Sequence, residues 1–399
     1  MCKHPIEHVR KLAGEIGCRM VGTTGNQAAA EYITGEFERF GLRVEPNPFD
    51  CPSWAAESTR LSVNGKEYPV YANTFSPACD SAGALLTVGS RAELEAVDIT
   101  GKIVLFYGDL AKFPISPKAF LFVSDRDRAV AEKLENDRPA GVLTVNPAWG
   151  MRWRIIEDPD LTVPSATVPL EVGLELAHLA GNTARLQIAA QRSAGTTANL
   201  VARLGSPATR RIVLMAHYDT KEDTVGAWDN ASGVGVLLAL AERLAQTEWS
   251  CSLEFVAFTG EEHWESPETD AYLNAYKDTF GEIIAAINMD GIGGKIATHT
   301  LATFAGSPGF EECVEAVRQR YPGVARVDPW PASNHWQFYS NGVPSVAITS
   351  VGPSNLYHGP HDTLEWISEE KLEEVAALVA ELVGMLESHD PNWGRVSQE

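Results

Sequence analysis

Apolar residues recur at helical spacing near both ends of the chain. In the run NQAAAEYITGEFERFGL they fall every three to four positions, and Gly41 follows where a glycine commonly ends a helix. The closing run LEEVAALVAELVGML predicts a long amphipathic helix. Its apolar face consists of Leu372, Val375, Val379, Leu382 and Leu386.

The pattern between about Asp50 and Ala194 is different. Short strand-like runs such as GKIVLFYGD and AGVLTVN are separated by proline-rich joints. The run LSVNGKEYPVYA carries Asn64-Gly65, a pair that favours a tight hairpin turn. This segment therefore predicts a smaller, β-rich domain.

From SAGTTANL onwards, strands that are apolar throughout alternate with helices. RIVLMA precedes SGVGVLLALAERLA, and SLEFVAF, EIIAAIN and PSVAITS follow. This alternation predicts an α/β fold, with a mostly parallel mixed sheet flanked by helices. We expect a discontinuous domain of residues 1–48 and 195–399, with residues 49–194 inserted as a second domain.

Composition excludes several classes of function. The net charge of −21 argues against a nucleic-acid partner, which needs a basic surface. No apolar run approaches the roughly 18 residues of a membrane span, so no membrane association is expected. The six cysteines are scattered, and the start MCKHPIEHVRKLAGEIG lacks the apolar stretch of a secretory signal. A cytoplasmic location is therefore expected.

Polar side chains gather where the predicted strands end. Parallel strands bring their carboxyl ends to one edge of a sheet, which is where sites form in open α/β folds. A further aspartate lies in the Gly-flanked turn GAWDNASG. The residues concerned are His217, Asp219, Asp229, Glu261, Glu262, Asp290 and His358.

Two histidines and several carboxylates suit zinc or a similar divalent ion, but they are too many for one tetrahedral site. Two ions that share a bridging carboxylate would use them all, and could hold a water as hydroxide. Asp229, on its tight turn, is the natural bridge. Asp219 is placed to accept the second N–H of His217. Of Glu261 and Glu262, one is expected to bind metal and the other to act as general base; spacing alone leaves open which.

Five motifs, in this order, carry a resemblance to a known family. AHYDT, GAWDNASG, FTGEE, NMDGIG and YHGPHDT resemble those of the co-catalytic zinc aminopeptidases, whose relatives include glutamate carboxypeptidase, glutaminyl cyclases and the transferrin-receptor ectodomain. The segment with GKIVLF, AGVLTVN and VPSATVP resembles a protease-associated domain. The resemblance implies a zinc aminopeptidase-like fold with this domain inserted.

The resemblance also implies a ligand set for two Zn²⁺ ions. His217 and Asp290 would bind one ion, Glu262 and His358 the other, and Asp229 both. Co²⁺ or Mn²⁺ would also suit these nitrogen and oxygen ligands.

Three further residues receive catalytic roles from the resemblance. Glu261 would be the general base, Asp219 would support His217, and Tyr357 would help to stabilise the oxyanion. His361, in the same motif as His358, is expected to be a rim or surface residue. The implied reaction is hydrolysis of the N-terminal peptide bond of peptides with a free N-terminus.

Other functions on the same scaffold stay open. These are a carboxypeptidase or dipeptidase-like hydrolase, a glutaminyl cyclase, and a non-catalytic binding relative. A homo-oligomer also stays open. The sequence departs from the family pattern at Trp228, Trp264 and Asn334, and we expect these departures to affect substrate specificity rather than the metal ligands.

Overall fold

The fold comes from a computed structural model that describes residues 3–115, 124–205, 210–263 and 267–396. The described chain forms two compact units. The first contains the described parts of residues 1–50, 196–262 and 267–399; the second contains those of residues 51–195, together with His263.

The strands are numbered in chain order. They are β1 (Arg43–Val63), β2 (Lys66–Tyr68), β3 (Tyr71–Ala72), β4 (Cys79–Val88), β5 (Ile103–Phe106), β6 (Gly141–Val145), β7 (Ser165–Val168), β8 (Thr183–Leu204), β9 (Arg211–His217), β10 (Ser252–Phe258), β11 (Ile283–Met289), β12 (Thr298–Phe304), β13 (Val324–Arg326) and β14 (Ser345–Val351).

The α-helices are α1 (Pro5–Val9), α2 (Thr24–Arg39), α3 (Arg91–Ala96), α4 (Asp125–Asp137), α5 (Leu170–Ala177), α6 (Ser232–Leu244), α7 (Pro267–Tyr276), α8 (Pro308–Arg318), α9 (Trp336–Tyr339) and α10 (Glu369–Leu386). A π-helical segment, Arg10–Ile16, directly follows α1.

The first unit is built on a mixed sheet in the order β13-β12-β14-β11-β9-β10-β8, with residues 200–204 of β8 at one side. The pairs β10–β9, β9–β11 and β11–β14 are parallel. Strand β12 runs antiparallel to β14, and β8 antiparallel to β10. Every residue of β9, β10 and β11 is buried, as the continuous apolar runs predicted.

Helices complete the core of the first unit. Helix α6 is the central one: all of its residues except Arg243 are buried, and it packs against α1, α10 and β9. The apolar face predicted for α10 is confirmed, because all five of its predicted residues are buried. Helix α2 begins at Thr24, where the side chain of Thr23 accepts the backbone N–H of Asn26.

The second unit contains a parallel run of strands β4-β5-β6-β7, with β3 antiparallel to β7 and residues 183–188 of β8 antiparallel to β4. The predicted hairpin is confirmed, since Val63 pairs with Lys66 and both Asn64 and Gly65 have positive φ. The unit is less purely β than predicted, because its described part includes α3, α4 and α5. In α4 a narrow apolar stripe of Val130, Ala131 and Leu134 is buried.

Two expectations from composition can be compared with the described residues. No helix within them combines the length and apolar character needed to cross a membrane. Among the cysteines they include, no disulfide is present.

Candidate active site

The sheet of the first unit brings the predicted polar residues to one edge. His217 is the last residue of β9 and pairs in register with Phe258, the last residue of β10. Asp290 directly follows the last residue of β11. Because these strands are parallel, their carboxyl ends meet at the same edge.

Two groups of three possible metal ligands form at this edge, and they share Asp229. In the first, His217 Nε2 lies 3.2 Å from Asp229 Oδ1 and 3.2 Å from Asp290 Oδ1. In the second, His358 Nε2 lies 3.1 Å from Asp229 Oδ2 and 3.2 Å from Glu262 Oε2. The two oxygens of Asp229 therefore face different histidines, which is the arrangement a bridging carboxylate requires.

The donor atoms of these groups fit a divalent metal such as zinc. Each group offers one imidazole nitrogen and two carboxylates, and its ligand atoms all lie within 4.8 Å of one another. Burial lowers the pKa of His217, but the charges of Asp290 and Glu261 outweigh that effect and raise it well above its usual value. So much negative charge around one imidazole is what a bound cation would neutralise.

Asp219 contacts the His217 ring on its Nδ1 side, away from the other members of the first ligand group. Its side chain is fully buried, and its Oδ1 is 3.5 Å from His217 Nδ1. Its Oδ2 accepts the backbone N–H of Glu262 at 3.1 Å. The carboxylate thus contacts one candidate ligand through its ring and another through its backbone, a position from which it can orient both.

The adjacent residues Glu261 and Glu262 occupy different positions. The Glu262 side chain is only 4% exposed and contributes to the second ligand group. Glu261 belongs to neither group; its Oε2 is 3.7 Å from His217 Nε2, and its side chain is 19% exposed. Burial raises the pKa of Glu261 well above its usual value, against the lowering effect of His217, and Asp290 raises it further. Gly260, directly before this pair, has φ of +113°, a conformation that favours glycine.

The loop that carries Asp229 is held in place by hydrogen bonds to other segments. The backbone N–H groups of Trp228 and Asp229 donate to the two carboxylate oxygens of Asp362 at 2.7 and 2.9 Å. The next residue, Asn230, donates its side-chain amide to the carbonyl of Met289 at 2.9 Å. The peptide bond between Asp229 and Asn230 is cis. Burial raises the pKa of Asp362 to about 7, although the N–H group of Trp228 lowers it.

Tyr357 and Trp228 pack against each other beside the site, with their rings tilted by 52°. Their ring centroids are 4.8 Å apart, and the indole N–H of Trp228 donates to the carbonyl of Gly291 at 2.8 Å. Burial raises the pKa of Tyr357, and the charges of Asp229 and Asp290 raise it further, so its hydroxyl keeps its proton. His361, in the same motif, is exposed.

Several supporting residues were not singled out by the sequence. Lys221 is buried, and its ammonium group donates to the backbone carbonyl of Glu262. Arg19 binds the loop that joins His217 to Asp229. Asp362 lies within the motif YHGPHDT but received no role there, and no local motif marks Lys221 or Arg19.

Of the three residues that depart from the family pattern, the structure describes Trp228 and Asn334, and both are buried. Trp228 packs under the loop after β11, since a Cβ on Gly294 would lie 2.3 Å from its ring. Asn334 is buried, and its amide donates to Glu268 at 3.4 Å. Trp264 lies outside the described residues.

This fold and these paired ligand groups are those expected of a co-catalytic metallopeptidase. Residues 199–383 match the sequence model of "Peptidase family M28". The chain is 23% identical to "Aminopeptidase YwaD" of Bacillus subtilis over 408 residues, which cover 96% of this chain and 84% of that protein.

Solved structures share the fold. The "Peptidase M28 precursor" of Shewanella amazonensis superposes with a TM-score of 0.80 at 17% identity, covering 97% of this chain and 94% of that one. BSAP, "a zinc aminopeptidase from Bacillus subtilis", gives a TM-score of 0.78 at 21% identity, with 95% and 93% coverage. The predicted resemblance to the zinc aminopeptidases is therefore confirmed: residues 199–383 match the model of peptidase family M28, and the solved structures share the fold. That residues 49–194 form a protease-associated domain stays a prediction.

Proposed function

We propose that this protein is a metal-dependent aminopeptidase that removes the N-terminal residue from peptides with a free N-terminus. The observation that carries the proposal is the position of Asp229, whose two oxygens face His217 in one ligand group and His358 in the other. The names of the relatives, aminopeptidases among them, support the choice of reaction.

The proposed cofactor is a pair of Zn²⁺ ions, with Co²⁺ or Mn²⁺ as substitutes. His217 and Asp290 would bind one ion, Glu262 and His358 the other, and Asp229 both. Bound cations of this kind supply Lewis-acid polarisation of the scissile carbonyl and a nucleophile at neutral pH.

Glu261 is the proposed general base. It lies beside His217 but outside both ligand groups, so its carboxylate is available to take a proton from the attacking water. The water oxygen bonds to the carbonyl carbon, the C–N bond breaks, and the proton passes from Glu261 to the leaving amine. The products are a free amino acid and the shortened peptide.

Asp219 and Tyr357 have supporting roles in this proposal. Asp219 would hold the His217 ring from its Nδ1 side and fix the tautomer that leaves Nε2 for a metal. The hydroxyl of Tyr357 would donate a hydrogen bond to the carbonyl oxygen as negative charge develops there.

The test is a panel of aminoacyl-p-nitroanilides, each assayed with a free and with an acetylated α-amine, on protein that has been reloaded with Zn²⁺. We expect release of nitroaniline from at least one free-amine substrate, and loss of turnover on acetylation. Equal turnover of acetylated substrates would contradict the aminopeptidase assignment. Cyclisation of N-terminal glutamine, with no hydrolysis anywhere in the panel, would favour the cyclase alternative instead.

A further inference from the structure

Arg19 is a fully buried charged residue near the site. Among the described residues, the hydrogen bonds of its guanidinium group end on backbone carbonyl oxygens. Nε donates to Tyr218 at 2.7 Å, Nη2 to Gly226 at 3.0 Å, and Nη1 to Val225 at 2.6 Å. Nη1 also lies within hydrogen-bonding distance of the carbonyls of Leu12 and Gly17, at 3.3 and 2.9 Å.

Three of these carbonyls, those of Tyr218, Val225 and Gly226, lie at the two ends of one loop. Tyr218 directly follows His217, whereas Val225 and Gly226 precede Asp229 by four and three residues. A single guanidinium group therefore connects both ends of the 218–226 loop, which begins directly after the candidate ligand His217 and ends three residues before the candidate bridge Asp229.

The main chain of Arg19 adds a contact to the same loop. Its backbone N–H donates to Thr220 Oγ1 at 2.9 Å, and the Thr220 side chain is buried. At the far end of the loop, Gly226 has φ of +51°, and a Cβ there would lie 2.3 Å from the carbonyl oxygen of Asp229. The contact at Thr220 and the close packing at Gly226 therefore restrict the backbone conformation of the loop.

The geometry of the contacts requires arginine. The planar guanidinium group presents its N–H donors in a rigid fork, whereas a lysine ammonium offers three donors around one point. A lysine at this position would keep the charge but would leave carbonyls at one end of the loop without their donor. A buried carbonyl without a hydrogen-bond donor destabilises the conformation that buries it.

We propose that Arg19 is a positioning residue for the candidate metal centre: by joining both ends of the 218–226 loop, it holds His217 and Asp229 at the spacing that metal binding needs before an ion arrives. This inference rests on the proposed function in so far as His217 and Asp229 are taken as metal ligands. Arg19 itself contacts neither side chain in this role; it acts through the backbone.

The test compares R19K with a matched control, R395K. Arg395 also donates to three backbone carbonyls, those of Gly342, Phe280 and Ile283, but Ile283 begins β11 and Asp290 follows its other end. Metal-free wild type and both variants are titrated with Zn²⁺ against a competing chelator, and with Mn²⁺ followed by electron paramagnetic resonance. Urea unfolding of the metal-free proteins measures stability separately.

We expect R19K to weaken Zn²⁺ affinity about 10- to 100-fold, the usual effect of losing a residue that supports metal ligands. It should also lose the exchange-coupled Mn²⁺ signal of a bridged pair. R395K should lose stability but keep wild-type metal affinity and coupling. Wild-type affinity and coupling in folded R19K would overturn the proposal, and so would equal weakening in R395K.

A milder variant covers the case in which R19K does not fold. T220V conserves the side-chain shape but removes the acceptor of the Arg19 backbone N–H, together with the hydroxyl contacts to the carbonyl of Thr224 at 3.4 Å and to Cys18 Sγ at 3.7 Å. It should weaken metal binding in the same direction by a smaller factor, and unchanged affinity in folded T220V would overturn the proposal. If wild type itself binds no metal, the proposed function fails; if wild type binds metal and these variants bind it equally well, only the role of Arg19 fails.

Discussion

The carboxylate of Asp362 fixes the backbone of Asp229. One of its oxygens accepts the N–H of Asp229 at 2.9 Å, and the other accepts the N–H of the preceding residue, Trp228, at 2.7 Å. Asp362 follows His358 by four residues, so one short segment both supplies a candidate ligand and orients the candidate bridge. Two of the three members of the second ligand group, Asp229 and His358, are therefore linked through Asp362.

This link predicts that D362N weakens metal binding although residue 362 is not itself a ligand. An asparagine offers one acceptor oxygen and turns an N–H₂ group towards the other backbone N–H, so the loop around Asp229 should shift. We expect a loss of about 10- to 100-fold in Zn²⁺ affinity, measured by competition titration. D328N, at an exposed aspartate, is the control. Wild-type affinity in D362N would show that Asp229 keeps its position without this contact.

Because Asp229 belongs to both ligand groups, two ligand variants should differ in the amount of metal they retain. H358A removes a donor from the second group only and should leave about one tightly bound ion per chain. D229A removes a donor from both groups, so it should retain less metal than H358A after the same dialysis. Elemental analysis of the two variants measures this directly. Equal metal content would contradict the bridging arrangement.

The phenol of Tyr357 provides a third prediction. Because burial and nearby carboxylates raise its pKa, the hydroxyl stays protonated and can donate to a developing oxyanion. Y357F should reduce kcat by about 100-fold with little change in KM or metal content. Y321F, at a half-buried tyrosine three residues after the end of α8, is the control. A change confined to KM would place Tyr357 in substrate binding instead.

His8 predicts a pH dependence of stability that is independent of the active site. It is buried, with Nδ1 2.7 Å from the hydroxyl of Tyr32. Burial lowers the pKa of His8 to about 4; Glu36 and Glu7 raise it, and Lys3 and Arg39 lower it. Between pH 6.5 and 4 the unfolded chain binds a proton at this position that the folded chain does not. The free energy of unfolding therefore falls as the pH falls through this range.

The size of that effect can be checked with H8N, whose amide occupies the place of Nδ1. Between pH 7 and pH 5, wild type should lose about 2 kcal/mol more of its unfolding free energy than H8N does. Urea denaturation of the metal-free proteins at both pH values gives the two differences. Parallel losses in wild type and H8N would show that His8 is not the residue responsible.

The sequence predicted well those features that depend on neighbouring residues. The buried strands β9, β10 and β11 follow from continuous apolar runs, and the hairpin at Asn64-Gly65 from a pair that accepts positive φ. The candidate ligands could be found because parallel strands place their carboxyl ends at one edge, so residues such as His217 and Asp290 meet whatever the loops do.

The sequence could not predict contacts between distant segments. Arg19 meets the loop after His217 across some two hundred positions, and Asp362 reaches Asp229 across more than one hundred. Neither pair has a local pattern that marks it, since each depends on how whole elements pack. Helix α4 was missed for another reason: among its described side chains, those of Val130, Ala131 and Leu134 are the buried ones, a stripe too narrow to stand out in a polar sequence.

The central claim is that Glu261 moves the proton while the neighbouring residues bind the metal, and E261Q tests it most directly. Both kcat on the best nitroanilide substrate and metal content per chain are measured for wild type, E261Q and the exposed control E312Q. We predict that E261Q keeps wild-type metal content and loses about 10²- to 10⁴-fold in kcat, while E312Q keeps both. Undiminished kcat in metal-loaded E261Q, or loss of its metal, would contradict this account.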